Sequence, residues 1–216
     1  MRIAFIFSGL MTNPRDAGSR KPCYIETCYS YYKKNLIDCN KTHDIDIYIH
    51  LWCDNDDSET ERKKKLIVDL YKPRSIVVQK IEEENNFVSK FKSNKRAFDL
   101  ISEPYYDLCF FSRLDVVFNR DMDFDMFDKK KIYHNDGMEN GGGHFGDFYF
   151  VLNFQNSKHF SKLYDKIKNR SDEKWTEKKW RTEYIPLLKS HLLEVGEIDN
   201  YLKAGRYREV EVYRKF

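Results

Sequence analysis

Apolar residues in this chain fall into short runs, and the runs alternate with stretches of helical spacing. Arg2-Ile-Ala-Phe-Ile-Phe-Ser8 reads as a buried first strand running into Gly9 and a polar loop through Arg20. Residues 23–38 mix aromatic and polar groups at near-helical spacing and predict a helix. Asp44 to Leu51 alternates polar and apolar residues, as a half-buried strand does. Ser58-Glu59-Thr60-Glu61 has the form of a capping box, so a helix is expected from there to about Tyr71, with Pro73 ending it. Ser75 to Gln79 is a short β-branched strand, and residues 85–102 predict a further helix, stopped by Pro104. Leu108-Cys-Phe-Phe111 is a fourth apolar run, which breaks into Ser112-Arg113-Leu114-Asp115.

This β-α-β-α-β-α-β order predicts a mostly parallel, Rossmann-like α/β sheet with helices on both faces. Ligands of such sheets lie outside the carboxyl ends of the strands. That rule puts Ser8-Gly9, His50 to Asp54 and Arg113 to Asp115 on one rim. The second half breaks the alternation. Residues 119–131 are polar and acidic, and Lys131 to His134 is a candidate strand. Asp136 to Gly146 holds five of the nine glycines and reads as a loop, followed by a strong strand from Asp147 to Asn153. Helices are expected at about 156–169 and 175–194, and Tyr207 to Arg214 is a candidate closing strand. The expectation is one domain over residues 1–216. Residues 1–118 form its binding half, and 119–216 a mixed half that completes a cleft.

Composition narrows the classes. Thirty-eight basic against 35 acidic residues leave a net charge of +3, which argues against a protein that coats nucleic acid. Five cysteines, scattered and without a C-x-x-C pair, argue against a zinc framework or disulfide scaffold and fit a reducing compartment. The apolar run at residues 3–7 is too short for a signal-peptide core or a membrane span. The expected location is cytoplasmic (host cytoplasm if the source is a virus), and a fragment of a longer chain would read the same way.

The rim residues carry the chemistry. Gly9 beside Ser8 lets backbone approach a phosphate, and Arg15, Arg20 and Lys21 follow in the loop, although an ordinary solvated loop is the plainer reading. The spacing is neither a Walker loop nor G-x-G-x-x-G. Asp115 suits a Mg²⁺ or Mn²⁺ ion that takes its remaining ligands from substrate phosphates. Arg113 suits the charge of a leaving diphosphate; a surface ion pair between the two is the alternative. Asp147, after the glycine-rich stretch, suits a general base toward a hydroxyl, or a turn. Trp52 fits a stacking platform or a core position. His144 and His191 have no His-x-x-x-His spacing and are not taken as metal ligands. Glu183 reads as a helix-surface acid.

In order along the chain, Phe5-Ile-Phe-Ser-Gly9 with Arg15, Asp46 through His50-Leu51-Trp52, Tyr106-Asp107 through Arg113-Leu114-Asp115, and Asp147-Phe-Tyr-Phe150 resemble the GT-A-fold glycosyltransferases that use nucleotide sugars. The likeness is to the single-domain type of bacterial polysaccharide clusters and large DNA viruses, over roughly residues 3–153. The resemblance implies a sugar transferred from a nucleoside diphosphate sugar, a UDP-sugar first, to a hydroxyl of a glycan or glycoprotein, aided by Mn²⁺ or Mg²⁺. It implies Ser8, Gly9 and Arg15 near the nucleotide, and Lys95 and Arg96 on a helix that contacts it. Asp115 becomes the metal ligand and Asp147 the catalytic base. The chain departs from the family's D-x-D signature because Arg113 stands where its first acid would be. Two rivals stay open. One is a metal-dependent nucleotidyltransferase or phosphohydrolase that recruits Asp121, Asp123 or Asp125 beside Asp115; the other is a nucleotide-sugar-binding module without turnover.

Overall fold

The structure, a computed structural model, describes residues 1–11, 25–54, 57–82, 85–137, 144–170, 176, 179–200 and 210–212. Four strands lie parallel: β1 (Arg2–Leu10), β2 (Asp44–Cys53), β3 (Ser75–Lys80) and β4 (Leu108–Arg113). A short β5 (Val116–Phe118) follows, then β6 (Lys131–Gly137), β7 (His144–Leu152), β8 (Glu197–Asn200) and β9 (Val210–Val212). The main sheet has the order β3-β2-β1-β4-β7-β6-β8, and β5 pairs with β9 in a separate ladder. Within the main sheet β7 runs antiparallel to both its neighbours, and β8 pairs parallel with β6. The fold is therefore the mixed, mostly parallel α/β architecture expected.

Strand β1 is buried along most of its length because helices cover both of its faces. Alternate residues feed two separate cores. Ile3, Phe5 and Phe7 pack with Phe110, Phe118, Phe124 and Tyr149 under α1 (Ile25–Tyr32) and α2 (Ser58–Tyr71). Ala4 and Ile6 face the other core, built on α3 (Asn86–Asp99), α4 (Phe154–Ser161), α5 (Leu163–Ile167) and α6 (Ile185–Leu193). Each Phe taken out of water here contributes about 2–3 kcal/mol. No helix among the described residues is long and apolar enough to cross a membrane.

Some local expectations shift. The helix expected over 23–38 is α1 followed by a π turn at Lys33–Ile37 and a 3₁₀ turn at Asp38–Asn40. The cap of α2 is Asp57, not Ser58: its carboxylate accepts from the Thr60 N–H. Lys72 ends α2 in a left-handed conformation at φ 46°, just before Pro73. Strand β8 carries no strong signal and was not expected. The closing strand over 207–214 is described at Val210–Val212, and it pairs with β5 rather than with the main sheet.

Candidate active site at the carboxyl rim

Register brings the rim residues together. Ser8 lies beside Arg113 on one side and beside His50 on the other, and Gly9 lies beside Leu51. Gly9 has φ +131°, a conformation open to glycine and costly to other residues. A methyl group built on it would meet the Arg113 Cγ at 3.8 Å, so the two residues are near neighbours.

Helix α3 sets this corner through a polar stripe. Asn85 caps the helix by accepting from the Phe87 and Val88 N–H groups. Ser89, Ser93 and Asn94 are buried against the strand ends. The Ser8 hydroxyl donates to Asn94 Oδ1, and the Gly9 N–H donates to Ser93 Oγ at 3.2 Å. The Trp52 indole N–H donates to the Ser89 carbonyl at 3.0 Å. Small polar side chains let helix and strand approach closely while every one of these groups finds a partner. This changes the expected part of Ser8 and Gly9. The Ser8 hydroxyl and the Gly9 N–H are bonded to α3 and shape the wall of the corner.

His50 is locked in the same corner. Its Nδ1 lies 2.8 Å from Ser93 Oγ and its Nε2 lies 2.8 Å from Gln79 Oε1. Gln79 Oε1 also accepts from the Arg96 guanidinium at 2.6 Å, so it is an acceptor and the imidazole proton sits on Nε2. Burial pushes the His50 pKa down to about 4; the Gln79 bond opposes the shift and the Arg96 charge adds to it.

Arg96 and Trp52 differ from the contact roles considered above. Arg96 makes a two-pronged contact with Glu82, at 2.9 and 3.0 Å, and lies 5.0 Å over the Trp52 ring. Trp52 is itself buried, which makes it a core residue. Lys95 pairs with Asp99 one turn along α3 at 3.4 Å. Arg15 lies outside the described residues. The backbone of Asp147 is in β7, two residues rimward of Tyr149, which pairs with Ser112; its side chain lies outside the described residues.

At the end of β4, Arg113 Nε donates to Asp115 Oδ1 at 2.7 Å and an Nη donates to Oδ2. Both side chains are mostly covered but keep a path to solvent. Tyr32, from α1, fixes the strand end: its hydroxyl donates to the Arg113 carbonyl at 2.7 Å and accepts from Ser112 Oγ at 2.9 Å. Sequence reasoning missed Tyr32, one of several tyrosines in that helix.

The acids considered as partners for Asp115 lie elsewhere. Asp123 caps the 3₁₀ turn Phe124–Met126, and Asp125 lies 3.4 Å from His43, just ahead of β2. Asp121 and Asp123 act electrostatically on Cys39, also ahead of β2. All three follow β5, which carries the chain away from the rim. Among the described residues Asp115 belongs to no convergent set of metal-ligating side chains. One carboxylate, gripped by a guanidinium, fits an ion that arrives with substrate phosphates better than a resident one.

Comparison with protein-family models and with curated proteins finds no match. Comparison of folds does. The chain is similar to a Drosophila β1,4-galactosyltransferase 7 variant solved with manganese, UDP-Gal and xylobiose. The TM-score is 0.50 and the identity 10%, over 98% of this chain and 70% of that one. The fold is GT-A-like. It is equally similar, at TM-score 0.50 and 10% identity, to a Bacillus anthracis protein described as a glucose-1-phosphate thymidylyltransferase, in complex with sucrose. That match covers 94% of this chain and 87% of the other. Similarity to the glycosyltransferase GlyE of Streptococcus pneumoniae TIGR4 has TM-score 0.46 and identity 11%, over 92% of this chain. The chain spans 44% of the length of GlyE. The GT-A-like sheet thus gathers Ser8, Gly9, Arg113 and Asp115 at one corner, with Arg96 and Lys95 on the helix behind it.

Proposed function

We propose that this chain is a glycosyltransferase that moves a sugar from a nucleoside diphosphate sugar, a UDP-sugar first, to an acceptor hydroxyl. The observation that carries the reading is the juxtaposition of Ser8-Gly9 and Arg113-Asp115 at the carboxyl ends of adjacent parallel strands, in a GT-A-like sheet. The diphosphate lies over Gly9, where the missing side chain leaves room. Arg113 turns from Asp115 to the diphosphate and offsets the negative charge that builds as the bond to the sugar breaks. A divalent ion, Mn²⁺ or Mg²⁺, would share Asp115 with the donor phosphates, and when bound it adds electrophilic charge there. Ser8, Arg96 and Lys95 act by position: Ser8 ties the wall to α3, and Arg96 holds Trp52 and Gln79. Arg15 is proposed near the nucleotide. Asp147, on the neighbouring strand of the acceptor half, is proposed as the base that takes the proton of the acceptor hydroxyl.

The experiment is turnover of a nucleotide-sugar panel, with and without Mn²⁺, followed by the phosphorus product. Free nucleoside diphosphate is expected, reduced at least tenfold in Arg113→Ala and in Asp115→Ala. Wild-type turnover in both variants would remove the site assignment. The fold's equal likeness to the thymidylyltransferase favours nucleotidyl transfer as the second reading, and release of pyrophosphate from a nucleoside triphosphate and a sugar phosphate would establish it instead.

A further inference from the structure

A second cluster lies away from the rim, where α4 meets the end of α6. His159 in α4 and His191 in the last turn of α6 stack at a ring separation of 4.1 Å and an interplanar angle of 20°. The contact is reciprocal. His191 Nε2 lies 2.9 Å from the His159 carbonyl, and His159 Nε2 lies 3.0 Å from the His191 carbonyl. Glu194, just beyond α6, brings its Oε2 to 3.2 Å from His159 Nε2 and 3.9 Å from His191 Nδ1. Lys166 binds the same carboxylate at 2.7 and 3.0 Å.

His191 is the informative member. It is 1% exposed. Its Nε2–H is spent on a backbone carbonyl, which leaves Nδ1 as the lone-pair nitrogen of the neutral ring. That nitrogen is buried and has no hydrogen-bond partner among the described residues. It faces a carboxylate oxygen, an electron-rich atom opposite another. Burying a bare acceptor costs free energy, and a cation between the two removes the cost. The backbone bond to the far nitrogen also has the form of the outer contact that orients a metal-bound histidine.

We propose that His159, His191 and Glu194 bind one borderline divalent ion, Zn²⁺ by preference, which clamps α4 to α6. Two imidazoles and a carboxylate are a zinc-type ligand set, with a fourth position left for water. One ligand atom from each residue lies within 4.8 Å of the others. A tetrahedral ion with ligands about 2.0 Å away would set them about 3.3 Å apart. The His159–Glu194 separation of 3.2 Å already meets that, and the His191–Glu194 separation of 3.9 Å would close by about half an ångström. The His159 proton moves from Nε2 to Nδ1, which gives up the Nε2–H bond to the His191 carbonyl, so the ring stays neutral and no proton is gained or lost. The site is independent of the rim and of the activity proposed there.

The test is titration of the chelator-treated full chain with Zn²⁺ alone by calorimetry, with Co²⁺ absorption as a report on geometry. One ion per chain is expected, with a micromolar or tighter Kd and a tetrahedral Co²⁺ spectrum. His159→Gln and Glu194→Gln alter partly exposed residues, so folding, checked by circular dichroism, is expected to survive. Each should weaken binding at least tenfold, and Asp115→Asn should leave it unchanged. Failure of the wild type to saturate near one ion would overturn the proposal. So would affinity that persists in both the His159 and Glu194 variants, or that vanishes only with Asp115→Asn.

Discussion

Arg113 grips Asp115 along the edge of its guanidinium, with Nε on one carboxylate oxygen at 2.7 Å and an Nη on the other. The two groups are thus each other's competitor: whatever binds Asp115 must first displace Arg113. A partly exposed pair of this kind is worth about 1 kcal/mol, or roughly a fivefold change in an equilibrium constant. Arg113→Met is therefore expected to tighten Mn²⁺ binding to the nucleotide-free chain by about fivefold while slowing turnover. Calorimetry paired with steady-state rates checks both halves. Weaker ion binding in the variant would contradict the competition.

Tyr32 acts on the same strand end from outside the sheet. Tyr32→Phe keeps the ring in its packing but strips the donor from the Arg113 carbonyl. Stability should fall by about 1 kcal/mol, the net worth of one hydrogen bond, because Ser112 Oγ still reaches that carbonyl at 3.4 Å. Urea denaturation measures it. No change in midpoint would show that the hydroxyl does not hold the strand end.

Gly9→Ala has room for the methyl, since its nearest neighbour would be 3.8 Å away. The cost is backbone strain at φ +131°, of order 1–3 kcal/mol. A melting temperature roughly 3–10 °C lower is expected. An unchanged melting curve would mean that the strand end relaxes freely.

His50 gives the fold a dependence on pH. Its folded pKa, about 4, lies below the ordinary 6.5. Above pH 6.5 both the folded and unfolded forms are neutral, and the histidine contributes no pH dependence. As pH falls below 6.5 the unfolded chain takes up the proton first, so stability is lost progressively down to about pH 4 and then levels off. The full loss is about 3 kcal/mol from this residue. Unfolding free energies of wild type and His50→Gln between pH 7.5 and 4.5 should differ in slope by up to one proton, whatever their absolute values. Parallel slopes would remove His50 as the source.

The first half of the fold was legible because its four parallel strands are near-continuous apolar runs, and the rim followed from the parallel order. What escaped was set by contacts that spacing does not encode. Asp57 and Ser58 both suit a cap, and geometry chose the carboxylate. The four residues of β8 offer only one apolar side chain, Ile198, so their strand character comes from pairing with β6. The i, i+4 serines of α3 were visible, but nothing in their spacing said that they face Gly9, His50 and Trp52. Asp121, Asp123 and Asp125 look close to Asp115 along the chain, yet β5 carries them to the far end of the sheet.

The reversed strand has an architectural result. Because β7 enters against the direction of β4, the link from β6 is a hairpin: it departs at Gly137 and returns at His144, which pair with each other. The amino-terminal end of β7 therefore shares an edge with the carboxyl-terminal ends of β1, β2 and β4, a mixture that an all-parallel sheet cannot supply.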